Sequence, residues 1–173
     1  HTLIRPAIAL VALFLTLASA DAELKESLSV ESPALNGPMK YSLFLPEAQS
    51  ARLPVLYLLH GLGGHERDWQ ALGHIAQTAT RLIRQNAIPP MAIVMPDGAN
   101  SWYVKHGLYE DALLEDLIPE TERTHGFGGD RSRRAIAGLS MGGYGAFRLA
   151  FRYPDRFAMT AGLSAAIFPD LEA

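Results

Sequence analysis

Arg134-Ala135-Ile136-Ala137-Gly138-Leu139-Ser140-Met141-Gly142-Gly143-Tyr144-Gly145-Ala146-Phe147 is the stretch whose reading decides the fold. Its first half is a short apolar run of strand character. From Met141 to Phe151 the spacing is helical, with small residues at the start. Between the two lies Gly138-Leu139-Ser140-Met141-Gly142, a G-x-S-x-G sequence. In a strained strand-to-helix turn such a serine is lifted above the sheet edge. The glycines two before and two after leave room for neighbouring backbone, and the helix N-terminus offers free N–H groups to a developing oxyanion. With 15 glycines in 173 residues the pattern arises by chance roughly 0.07 times. A strand before it and a helix after it make coincidence rarer still. Ser140 is the candidate nucleophile.

Working upstream, His60-Gly61-Leu62-Gly63-Gly64 follows Val55-Leu56-Tyr57-Leu58-Leu59, a continuous apolar run like a strand buried on both faces. Glycines in that loop let backbone N–H groups point at a substrate oxygen. No Lys-Ser or Lys-Thr pair follows and no G-x-x-x-x-G-K occurs, so a phosphate-binding P-loop is disfavoured. The rest of the chain alternates. Strands are predicted over 27–32 and 39–45, with Asn36-Gly37-Pro38 in the turn between them. Helical spacing covers 75–84, and Pro89-Pro90 ends that segment. An apolar strand covers 91–95 and stops at Pro96-Asp97-Gly98. A second helix covers 109–123, with Pro119 as a kink point, and a last strand covers 157–163. Apolar runs alternating with amphipathic helices predict an α/β fold: a mostly parallel sheet with helices on both faces and an antiparallel hairpin at one edge.

Composition narrows the chemistry. The chain is 49% hydrophobic and 19% charged, enough apolar material for one packed domain. A net charge of -3 and a pI of about 6.1 point to neither nucleic acid nor an anionic membrane. With no cysteine, a thiol nucleophile, a disulfide scaffold, a thiolate zinc site and an iron–sulfur cluster are all excluded. No H-x-x-x-H or H-E-x-x-H spacing occurs, so neither a metal nor a cofactor is expected.

The first twenty residues read separately. Arg5 precedes the apolar run 7–17, then Ala18-Ser19-Ala20 and the acidic Asp21 follow. A basic start, an apolar core and an A-x-A site describe a signal peptide, and the run is too short to span a bilayer. The expectation is therefore a secreted or periplasmic protein with no stable membrane anchor, cleaved after Ala20, with one domain over 21–173. The chain begins with His1, so the natural start is expected upstream.

Several segments together carry a resemblance. Tyr57 to Gly64, Met95-Pro96-Asp97-Gly98, Ser101-Trp102-Tyr103, Tyr109-Glu110-Asp111 and Ala137 to Gly143 resemble the esterase D family of α/β-hydrolases. That family includes S-formylglutathione hydrolases, tributyrin and acetyl esterases, feruloyl esterases and the antigen 85 mycolyltransferases. The resemblance runs from about Met39 to the C-terminus. It implies that Ser140 is the catalytic nucleophile and that the N–H groups of Leu62 and Met141 form the oxyanion hole. It places Trp102 and Tyr103 near the acyl or alcohol pocket. The implied substrate is a carboxylic ester, either a small molecule or one linked to a polysaccharide. An acyl acceptor other than water would make the protein a transferase, and a lost triad would make it a non-catalytic binding module.

One departure stands out. The family's triad runs Ser, then Asp or Glu, then His, yet no histidine follows Ser140; the six are His1, His60, His65, His74, His106 and His125. Only 33 residues follow Ser140, room for the helix and one strand. Asp155 reads as a turn residue after that helix. By the resemblance, His60 sits beneath the oxyanion loop and supports it. The expectation is a fragment, the first two-thirds of one hydrolase domain.

Overall fold

The computed structural model describes residues 21–47, 52–104 and 108–168. The proposed leader, His1 and His106 lie outside the described residues.

Among the described residues, six strands form one sheet: β1 (Glu23–Ser32), β2 (Gly37–Leu45), β3 (Val55–Leu59), β4 (Ala92–Pro96), β5 (Arg134–Leu139) and β6 (Met159–Leu163). Their spatial order is β1-β2-β4-β3-β5-β6. β1 and β2 pair antiparallel, as do β2 and β4, while β4, β3, β5 and β6 run parallel. The opening hairpin is thus an antiparallel edge on a parallel sheet, as expected.

Side chains of β3 alternate between two cores, the period-two consequence of the pleat. Val55, Tyr57 and Leu59 join the larger core; Leu56 and Leu58 face the smaller one. The larger core is covered by α5 (Met141–Arg152) and by the helical stretch 109–125. Leu113, Leu114 and Leu117 are buried there, each contributing about 1.5–3 kcal/mol. The smaller core packs under α2 (Ile75–Arg84), which sets Ile75, Ala76, Ala79 and Ile83 on one side.

The helix predicted over 109–123 extends to His125 and is not uniform. It begins as α3 (Tyr109–Asp111), widens into a π-helical segment (Ala112–Leu117), and continues as α4 (Ile118–His125). Pro119 lacks the N–H that an α-helix needs at that position, and the N–H of Ile118 reaches back five residues to Leu113 O. The proline is accommodated by winding rather than by a break. Gly126, left-handed at φ 74°, ends the helix.

Other differences are local. β1 starts earlier than predicted, because a register shift between Lys25 and Leu28 absorbs the break in alternation, with Ser27 at φ 54°. β6 starts two residues later. A short helix, α1 (Asp68–Ala71), and a 3₁₀ turn (Arg131–Arg133) have no counterpart in the sequence reading. Among the described residues, no helix is long and apolar enough to cross a membrane.

Candidate active site

At the C-terminal end of β5 the chain turns abruptly into α5. Ser140 occupies that turn at φ 52°, ψ −112°, a conformation that costs a non-glycine residue about 1–3 kcal/mol. Its backbone is held from three sides. Ser140 N–H donates to Leu163 O at 2.9 Å, and Ser140 O accepts from Tyr144 N–H at 3.0 Å and from Ala166 N–H at 3.2 Å. Its side chain makes no capping bond to α5, so the hydroxyl is not consumed by the helix.

The flanking glycines are required by space. A Cβ on Gly138 would lie 2.4 Å from Gly142 O, and one on Gly142 would lie 2.5 Å from Leu59 O. The motif therefore binds β5, α5 and the end of β3 into one tight junction. That junction also delivers the second glycine loop. A Cβ on Gly61 would sit 3.8 Å from Ser140 Cβ, so the 60–64 loop lies directly beside the serine.

Leu62 sits in that loop and is 59% exposed. Met141 is fully buried and opens α5, where backbone N–H groups lack intrahelical acceptors. Both expected oxyanion donors thus belong to the segments that meet at Ser140.

His60 is buried beneath the loop. Its Nε2 accepts the N–H of Gly98 at 2.9 Å, so its proton resides on Nδ1, which donates to Gly61 O at 2.7 Å. With both nitrogens engaged by backbone, His60 supports the loop and has no free lone pair for proton abstraction. Asp97 Oδ1 stands 3.7 Å from His60 Nε2 and accepts the Ala99 N–H at 2.8 Å. The other described histidines have different surroundings. His65 Nδ1 accepts from Arg67 N–H at 3.2 Å while its Nε2 faces Asp68 Oδ1 at 3.3 Å. His74 is exposed at the N-cap position of α2 and makes no side-chain capping bond. His125 Nε2 lies 3.3 Å from the Tyr41 hydroxyl and its ring stacks on Phe127. Burial first, then the Lys25 charge, lowers the pKa of His125.

Trp102 and Tyr103, adjacent in sequence, have different surroundings. Trp102 meets Tyr144 edge-on at 5.9 Å and Phe168 at 5.1 Å; Tyr144 and Phe168 meet at 6.0 Å. Tyr144 lies one turn along α5 from Ser140, so this aromatic trio flanks the serine. Tyr103 is fully buried. Its ring fills the space left by Gly98 and Gly145 and packs edge-on to His60 at 6.1 Å. Burial pushes its hydroxyl above the ordinary tyrosine range, keeping it neutral. Tyr103 thus lies under the loops, whereas Trp102 stands at their side. Both adopt positive φ, 57° and 55°.

Sequence reasoning missed Tyr144 and Phe168. Tyr144 was findable, since residues four apart share a helix face. Nothing local marks Phe168.

Comparison with known proteins follows the same lines. A family model described as "Putative esterase" matches residues 32–170. An acetyl esterase from Caldicellulosiruptor saccharolyticus is 31% identical over 128 residues, covering 72% of this chain and 46% of that protein. A solved ferulic acid esterase superposes with a TM-score of 0.80 at 30% identity, covering 90% of this chain and 63% of that one. A fluorophosphonate-binding serine hydrolase from Staphylococcus aureus superposes with a TM-score of 0.74 at 27% identity, covering 89% and 63%. The chain thus spans less than half the length of that acetyl esterase and less than two-thirds of either solved chain.

Proposed function

The chain is a member of this esterase family, and on that premise we propose that it carries the nucleophile and oxyanion hole of a serine carboxylic-ester hydrolase. Ser140 Oγ attacks the ester carbonyl carbon and gives up its proton to a general base. The N–H groups of Leu62 and Met141 take the negative charge of the tetrahedral oxygen. The C–O bond to the alcohol breaks, the alcohol leaves with that proton, and an acyl-enzyme remains on Ser140. Water then attacks the acyl carbon, the base takes its proton, and the acid leaves as Ser140 regains its own.

The observation that carries this reading is the strained turn at Ser140 with Gly61 against it. A serine held in a disfavoured conformation where the G-x-S-x-G turn and the glycine loop after β3 meet suits a nucleophile. The aromatic trio of Trp102, Tyr144 and Phe168 suits the acyl group, with Tyr103 supporting the loop from below. The solved ferulic acid esterase acts, by its name, on an aromatic acid ester, and a wall of this kind fits a flat acyl group.

The general base and its acid partner are proposed to come from chain beyond Ala173, making residues 21–173 the larger part of one domain. Support comes from His60, whose nitrogens are both engaged, and from the greater length of the relatives. The parallel edge strand β6 leaves Met159 and Leu163 exposed, and an open apolar groove of about 460 Å³ runs along Leu56, Met91, Ala135, Ala137 and Met159. Further strands and a helix of the same domain would cover both.

Fluorophosphonate labelling of the full-length protein tests the reading. One serine should be labelled, and Ser140→Ala should abolish labelling and lower ester hydrolysis by several orders of magnitude. Labelling that survives Ser140→Ala would overturn it. Strong labelling of the 173-residue chain alone would overturn the assignment of the base.

A further inference from the structure

We propose that Asn100 is a positioning residue for the oxyanion hole, its side-chain carbonyl pinning the Leu62–Gly63 peptide beside Ser140. The inference rests on the reading of Ser140 as nucleophile and of the Leu62 N–H as an oxyanion donor.

Residues 61–64 form a tight turn, closed by Gly64 N–H donating to Gly61 O at 3.1 Å. Leu62 and Gly63 are its central residues, and Gly63 has φ 78°, as the third position of a type II turn requires. Type I and type II turns differ chiefly by a half-rotation of the central peptide, here Leu62–Gly63. Glycine tolerates both signs of φ, so the turn's own residues do not choose between the two. The choice falls to whatever pairs with the Gly63 N–H. That partner is Asn100 Oδ1, at 2.8 Å and 37 residues further along the chain.

Asn100 is held independently of the turn it pins. Asp97 accepts the Ala99 N–H at 2.8 Å, Ser101 Oγ donates to Gly98 O at 2.6 Å, and Tyr103 N–H donates to Ser101 Oγ at 3.1 Å. Ala99, next to Asn100, is left-handed at φ 46°, a strain these bonds maintain. The loops after β3 and β4 are then joined by two bonds of opposite sense. At the buried end, His60 accepts from Gly98; at the exposed end, Asn100 accepts from Gly63. Rotation of the central peptide would turn ψ of Leu62 and φ of Gly63; the Leu62 N–H belongs to the preceding peptide, so it would be loosened through the shared Leu62 Cα rather than flipped. Loss of a whole oxyanion donor costs about 10²–10³ in rate. A donor present but no longer fixed should cost less, about tenfold.

The test uses the full-length protein and three variants. Asn100→Ala should lower the second-order rate of fluorophosphonate labelling about tenfold. Ester kcat should fall by a similar factor with KM held, because a misplaced oxyanion donor acts on the transition state. In the same variant the Gly63 amide should lose hydrogen-exchange protection and show exchange broadening. Asn100→Asp, which keeps an acceptor, should restore that protection. A labelling rate at the wild-type level in Asn100→Ala overturns the positioning role, and so does a Gly63 amide that stays protected. Ser140→Ala separates the two levels: labelling that persists there overturns the nucleophile reading first.

Discussion

Gly142 presses its bare Cα against the carbonyl oxygen of Leu59, leaving no space for a side chain between the start of α5 and the end of β3. A Cβ there would lie 2.5 Å from Leu59 O and 2.6 Å from His60 O. Both obstacles are backbone, one at the last residue of β3 and one just after it, and neither can turn aside as a flexible side chain would. Gly142→Ala should therefore push α5 off β3 and destabilise the fold by about 1–3 kcal/mol. Thermal or urea melts of the two proteins would measure the difference. Equal midpoints would contradict the contact.

Stability and chemistry should part company at Ser140. Its φ of 52° is disfavoured for any residue with a Cβ. Ser140→Gly should remove that strain, worth about 1–3 kcal/mol, less about 0.5–1 kcal/mol for the freer unfolded chain. The expected outcome is a higher melting temperature with all fluorophosphonate labelling lost. A lower midpoint would mean that the turn is not strained.

The buried carboxylate of Glu110 is matched to α5. Arg148 pairs with it, the Tyr153 hydroxyl donates to Oε1 at 2.5 Å, and Arg152 Nε lies 3.6 Å away. Burial opposes its charge, but the bonds from Tyr153 and Arg148 and the charges of Arg148 and Arg152 outweigh it. The carboxyl is thereby held below the usual glutamate range. Glu110→Ala would leave Arg148, its side chain only 13% exposed, without its carboxylate and should cost about 3–5 kcal/mol. The pH dependence has a definite sign. A depressed folded-state pKa stabilises the fold above the unfolded value, near 4.5, and the contribution is lost as pH falls below it. Melts between pH 3 and 7 should therefore show a smaller acid-induced drop in Glu110→Gln than in the wild type. An identical drop would exclude Glu110 as a source of acid lability.

Export can be tested apart from chemistry. A precursor expressed in a bacterial host should be cut after Ala20, so that Asp21 becomes the N-terminus of the periplasmic product. N-terminal sequencing reads this directly. An intact precursor retained in the cytoplasm would refute it.

Much of the fold was legible in short stretches because the relevant physics is local. Five apolar residues between Pro54 and His60 read as a strand buried on both faces, and that is β3. The spacing of Gly138, Ser140 and Gly142 specifies a strand–turn–helix junction, since the close approaches it relieves fall two residues either side of the serine. Pro119 announced a disturbance in the 109–125 helical stretch, although whether it breaks the helix or rewinds it depends on packing along the whole stretch. By contrast, the order β1-β2-β4-β3-β5-β6 decides which distant loops become neighbours, and no local pattern encodes it. Because β3 lies between β4 and β5, the loops after β3 and β4 meet beside the serine. Only there do Gly63 and Asn100 find each other, and only there does His60 give both ring nitrogens to backbone. The same long-range packing sends Tyr103 under the loops while its neighbour Trp102 joins Tyr144 and Phe168. Residue types and short spacings thus determined the chemistry available to this chain. Strand order, a property of the whole sheet, decided which of those residues stand together.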